Sequence, residues 1–230
     1  MSKMHLEAKL NILNRIYQVY ADTMADADTA CKHGCSRCCT RNVTLTTLEG
    51  YQIITRMLEQ GQPDLIERIA TRSAGRRFQP RLTINQMAAW CMEGRELPEE
   101  EAETEWGECP VLSDAACPIY PARPFGCRCM VSRRTCEAGG YADMDPFVLT
   151  VNTVFQQTIE HVDRTGCTGN FTDLLLCLSS GENRTRYRQD ALACEPCGLL
   201  PNRPLQALMV PPEHRGRMAP VLAALRNIAV

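Results

Sequence analysis

The sequence predicts a mainly α protein: a single compact helical domain whose long Cys- and Pro-rich loops are ordered around a metal centre. Three observations carry that expectation. Apolar residues recur at helical spacing in several separate stretches, runs of alternating polarity are few, and fourteen cysteines gather in clusters. A chain of 230 residues, 44% of them hydrophobic, is long enough to bury one sizeable core. It is read as one domain over 1–230, with an N-terminal helix in 1–30, a cysteine-cluster core in 31–130 and a helical part with further cysteines in 131–230.

The elements follow in order. Over residues 4–24, Leu6, Leu10, Leu13, Tyr17, Tyr20 and Met24 advance by alternating steps of four and three, which lines one helix face. Ile12, Ile16 and Val19 widen it. Thr46 and Glu49 stand at capping-box spacing and predict a helix running to about Gln60. Gly61 and Pro63 break it, and Asp64 opens another helical stretch. Residues 83–93, "TINQMAAWCME", repeat the pattern, with Thr83 and Gln86 as the cap and Cys91 as a packed thiol. The acidic, aperiodic stretch 94–108 reads as a surface loop. Residues 109–144, rich in Pro, Gly and Cys, read as irregular but ordered. Asp145 and Pro146 then have the character of an N-cap and a first helical position. The helix they open carries Phe147, Val148, Val151, Val154, Phe155, Ile159 and Val162, and ends by Gly166. Shorter helices are expected near 171–179, 184–193 and 219–229.

Charge and hydropathy exclude several function classes. A net charge of −2 gives no basic footprint for nucleic acid and none for a membrane surface. No stretch approaches the ~20 apolar residues of a membrane span. The expected compartment is the cytoplasm, where reducing conditions disfavour a disulfide framework. Clustered thiols there call for a metal.

The clearest cluster is "CKHGCSRCCT", residues 31–40. Taken as a helical turn, Cys31, Cys35, Cys38 and Cys39 fall within an arc of roughly 100°. Taken as a loop, Gly34 permits a tight turn that converges the sulfurs. Gathered thiolates repel one another, and Zn²⁺ or an iron–sulfur cluster supplies the missing positive charge. Adjacent Cys38 and Cys39 fit a multinuclear centre better than one zinc. Partners must come from elsewhere, and "GECPVLSDAACPIYPARPFGCRCM" offers Cys109, Cys117 and Cys127 in a loop stiffened by four prolines. Arg123 and Arg128 are placed to offset the charge of a thiolate centre.

These two motifs resemble the YkgJ-type cysteine-cluster proteins, described as a zinc- or iron-chelating CxxCxxCC domain. The first motif, "CKHGCSRCCTRNVTLTTLEG", ends its cysteines in C-x2-CC and leads into an apolar segment and an acidic helix start, although its first spacing is C-x3-C. The second is Cys109-Pro110 with Leu112, Cys117 with Ile119-Tyr120, Arg123-Pro124 and Cys127-Arg128. The resemblance covers roughly residues 31–130. It implies that Cys31, Cys35, Cys38, Cys39, Cys109, Cys117 and Cys127 form the metal-binding set, without implying a reaction.

The expected cofactor is an iron–sulfur cluster of the 4Fe–4S type, with zinc as the alternative, because seven or more cysteines exceed what one zinc needs. The expected partners are the metal ion or cluster and, at most, another protein; no nucleic acid and no membrane. The primary reading is a metal-binding protein in electron transfer, metal handling or structure. The alternative is a metal-dependent enzyme that modifies proteins or peptides, since flagellin lysine N-methylases have been grouped with this cysteine-rich domain. The C-x3-C-x2-C spacing also occurs in radical S-adenosylmethionine enzymes, but Arg37 stands where they place an aromatic and no strand–helix repeat follows. A non-haem iron site wants two His and a carboxylate. Of the four histidines, only His33 lies inside the cluster, as an extra ligand at most. Cys129 and Cys136 lie outside the motifs. Near the C-terminus, Cys167, Cys177 and the pair in "CEPCG", Cys194 and Cys197, suggest a second site.

Overall fold

The computed structural model describes residues 5–32, 34–101, 106–136 and 141–228. Helix α1 (Leu6–Thr23) forms where the first apolar face was expected and buries Ile12, Leu13, Ile16, Tyr17 and Tyr20. It lies on α6 (Pro146–Val162) and α9 (Arg215–Arg226). At their junction Tyr20 meets Phe125 and Phe155 edge-on, with ring centroids 4.8 and 5.1 Å away, and the two phenylalanines stack. Val151, Val154, Met218 and Leu225 complete this first core.

The second core is built around α2 (Thr47–Glu59), α3 (Pro63–Thr71) and α7 (Phe171–Ser179), with Ile53, Ile54, Met57, Leu174, Leu175 and Leu178 buried together. Gly50 lets α7 approach α2: a Cβ there would collide with the Leu174 side chain. Helix α4 (Ile84–Met92) rests on α6, and α8 (Gly181–Arg188) on α7. The short α5 (Phe125–Arg128) lies within the otherwise irregular Pro-rich segment.

Beside the helices the structure contains a small antiparallel sheet in the order β1 (Thr44–Thr46), β2 (Cys167–Asn170), β3 (Leu200–Pro201). Its register pairs Leu45 with Gly169 and Thr168 with Leu200. Strands of two to four residues leave no alternating pattern to read, so the sequence gives no warning of them. They matter because β1 carries the chain from the first cysteine motif straight into α2. Among the described residues no helix is long and apolar enough to cross a membrane.

Local signals placed most boundaries. Thr46 and Glu49 make the full capping box, the Thr83 hydroxyl accepts from the Gln86 amide, and the Asp145 carboxylate accepts from the Phe147 amide. The last two helices differ from expectation. Residues 184–193 do not form one helix: α8 starts at Gly181, capped by Ser180, and ends at Arg188. Helix α9 begins four residues earlier than expected, following a 3-10 turn over Pro212–His214.

Candidate metal centre

All seven cysteines of the two motifs line one cavity of about 310 Å³. Three segments bring them there. The loop after α1 contributes Cys31, Cys35, Cys38 and Cys39, the Pro-rich segment Cys109 and Cys117, and α5 Cys127.

The first loop is a series of tight turns. It starts tied to the segment after α5, where the Ala30 amide donates to the Ser132 carbonyl at 2.8 Å. Gly34 has φ 88°, a left-handed conformation that a side chain would strain. The Cys35 amide bonds back to Lys32 and the Cys39 amide to Ser36. The two motifs then pair. Thr40 and Glu108 form an antiparallel bridge, the Arg41 amide donates to Gly107, and the Cys109 amide donates to the Cys39 carbonyl at 2.9 Å. Cys39 and Cys109 are thereby neighbours despite their distance in sequence.

Within the second segment, Ser113 and Ala116 exchange both backbone hydrogen bonds around Asp114 and Ala115, which sit at φ 50° and 59°. Neither residue is glycine, so this tight reversal costs about 1 kcal/mol or more per position. It folds the chain back towards Cys109, and Cys117 comes close enough to raise the Cys109 thiol.

Cys127 is fixed through a carboxylate that sequence reading placed only as a helix cap. Glu49 accepts from the Phe125 amide at 2.7 Å, the Tyr17 hydroxyl at 2.8 Å, and the Thr46 amide and hydroxyl at 2.9 and 3.0 Å. One buried carboxylate therefore joins α1, β1, α2 and the first turn of α5, two residues before Cys127.

Electrostatics follow from this crowding. Burial pushes the Cys109 thiol up to about 11, opposed by the Val111 and Leu112 amides and aided by Cys117. Burial also raises Cys117. Cys127 is raised first by burial, then by Cys109, Cys117, Cys129 and Cys38. The neighbouring Cys39 thiol lowers Cys38 to about 6, while Cys38 and burial raise Cys39. Arg123 lowers both Cys38 and Cys117. Its guanidinium lies 3.9 Å from the Tyr120 ring centroid, and its buried Nε has no hydrogen-bond partner. The Arg128 guanidinium stands over Tyr17 at 4.2 Å and donates to the Arg123 and Pro121 carbonyls.

The seven sulfurs line the wall without converging. Among the described residues, no group of three or more His, Cys, Asp or Glu side chains is set to hold a metal ion. Cys31 and Cys35 are exposed. Of the remaining free cysteines, Cys129 is buried behind α5, and Cys136 and Cys91 lie away from the cavity; Cys91 is exposed, not packed as expected. His33 lies outside the described residues. The walls that cysteine spacing could not reveal are Tyr17, Tyr20 and Met24, the lower end of the α1 face.

The four C-terminal cysteines, expected as a second site in a chain without a disulfide framework, are instead joined as two disulfides, Cys167–Cys194 and Cys177–Cys197.

Comparison with protein-family models, with curated proteins and with solved structures finds no match to this chain.

Proposed function

We propose that the chain is a metal-binding protein that holds an iron–sulfur cluster, with zinc as the alternative, through thiolates drawn from Cys31, Cys35, Cys38, Cys39, Cys109, Cys117 and Cys127. The observation that carries this reading is the gathering of seven cysteines from three separate segments around one cavity. The donor set fits such a group in kind. It is all thiol, the preference of iron–sulfur centres, and it contains more sulfurs than one zinc takes. Arg123 supplies positive charge to Cys38 and Cys117, and its orphaned buried Nε is a donor awaiting an anionic acceptor. Thiols raised by burial and by one another are the ones a cation would ionise.

Cys109, Cys117 and Cys127 are held by turns, prolines and Glu49, and would form the fixed half of the site. Cys31, Cys35, Cys38 and Cys39 sit on the loop that would close over it. When bound, an iron–sulfur centre supplies one-electron chemistry; the chain's own residues supply ligation, burial and charge balance. The likeness to YkgJ-type proteins agrees with this reading and rests on the two motifs alone.

Cys-to-Ser variants test the assignment. Cys117→Ser is expected to lose bound metal on anaerobic reconstitution and to loosen residues 109–128, because ligation and loop folding are coupled. Cys91→Ser, outside the cavity, is expected to retain the wild-type metal content. Metal lost from Cys91→Ser and kept by Cys117→Ser would refute the ligand set.

A further inference from the structure

The four C-terminal cysteines form a constellation separate from the cavity. Cys167 opens β2, Cys177 lies in the last turns of α7, and Cys194 and Cys197 share one 3-10 turn. That turn gives one sulfur to β2 and the other to α7. Two of the four sulfurs thus leave one turn three residues apart, the C-x2-C spacing found among zinc-binding thiols. The turn is tight: the Cys197 amide donates to the Cys194 carbonyl at 3.1 Å and the Leu199 amide returns to the same oxygen at 3.1 Å. Gly198, at φ 66°, lets the chain leave at once. The C-x2-C pair is thus presented by a compact knuckle. The Asn183 side-chain amide donates to the Cys177 carbonyl at 2.9 Å and also reaches the Cys177 sulfur, with N···S 3.5 Å, where it can steady a metal-bound thiolate.

The rest of the chain sets the redox context. Its ten other cysteines are free, seven of them around one cavity. A reductant strong enough to load the cavity cysteines with metal acts on these four as well.

We propose that Cys167, Cys177, Cys194 and Cys197 form a tetrathiolate zinc site, of which the two disulfides are the oxidised, metal-free form. In the conversion a dithiol reductant gives each disulfide two electrons and two protons and becomes a disulfide itself, leaving four thiols. Zn²⁺ then displaces the four thiol protons to solvent. Both pairs have Cα atoms 5.8 Å apart. Bonded sulfurs about 2 Å apart must open to about 3.8 Å, the ligand spacing of a tetrahedral site with Zn–S near 2.3 Å. Side-chain rotation in the knuckle is the expected source of that opening. The site would pin β2, α7 and the turn before β3 together in the reduced protein, as the disulfides do in the oxidised one.

The test uses the whole chain, reduced anaerobically with a dithiol, loaded with zinc and freed of unbound metal. Diamide is added in steps, zinc release is followed with a chromophoric chelator, and peptide mapping after acid quench reports each cysteine. The expected result is one zinc released per chain in step with formation of Cys167–Cys194 and Cys177–Cys197, and one zinc fewer bound by Cys194→Ser/Cys197→Ser than by wild type. Either disulfide persisting after dithiol treatment overturns the proposal. So does zinc release that tracks oxidation of other cysteines, or formation of both disulfides with no zinc released. The stepwise oxidation reads wild-type protein, so it decides the matter even if the double variant does not fold. Zinc or iron at the other seven cysteines is counted separately by the peptide map, so failure of one site leaves the other standing.

Discussion

At the residue scale, the candidate site divides into what spacing reveals and what only folding reveals. The seven cysteines were legible as a set because they cluster in two motifs along the chain, and the structure brings all seven to one cavity. Glu49 was legible only as the third position of a capping box. Its other partners, Tyr17 and Phe125, lie 32 and 76 residues away, and no local pattern announces them. Glu49→Ala removes a buried acceptor from four donors and leaves the Phe125 amide and Tyr17 hydroxyl unsatisfied. A loss of about 3 kcal/mol in denaturant unfolding is expected, at the high end for single substitutions. Reconstituted metal should also fall, because the turn that carries Cys127 loses its anchor. An unfolding free energy within about 0.5 kcal/mol of wild type would show that Glu49 does not hold that turn.

At the scale of elements, the helices announced themselves and the sheet did not. Helices α1, α2, α4 and α6 each combine an apolar face with a recognisable start or stop, and their boundaries fall within a few residues of expectation. The strands are too short for periodicity, and β1 and β2 pair directly before α2 and α7, which pack on each other. Sheet and site meet tightly at α5. A Cβ on Gly126 would stand 2.7 Å from the Thr44 carbonyl oxygen and 3.2 Å from the Val43 side chain. The obstacle at Thr44 is backbone, so α5 must move and take Cys127 with it. Gly126→Ala is expected to cost about 1–3 kcal/mol and to lower metal occupancy. Wild-type stability and metal content in this variant would mean that α5 and β1 are not locked together.

At the scale of the whole molecule, the two cores meet near one buried acid. Asp163, just past α6, accepts from the Leu48 amide and the Thr47 hydroxyl at the start of α2, from the Tyr187 hydroxyl of α8, and from the Asn202 side chain. Burial raises it from 3.8 to about 6 in spite of those donors. A carboxyl raised on folding stays protonated in the native state where the unfolded chain has already released its proton. Its contribution is therefore most favourable below about pH 4 and is lost as pH rises through about 6, a change of roughly 3 kcal/mol over the window. Asp163→Asn removes that titration. Relative to the variant, wild type should lose stability between pH 4 and 6.5 in denaturant titrations. Parallel pH profiles would show that Asp163 is not the titrating group.

Whether the seven cysteines of the cavity hold an iron–sulfur centre is decided by one measurement on wild-type protein. The protein is purified without oxygen, its absorption spectrum is recorded, and iron, zinc and acid-labile sulfide are quantified on the same sample. A broad band near ~400 nm with iron and sulfide in matching amounts is expected. A colourless protein with neither iron nor sulfide would contradict the iron–sulfur assignment. Stoichiometric zinc in that colourless sample would select the zinc alternative, and the absence of every metal would remove the proposed function altogether.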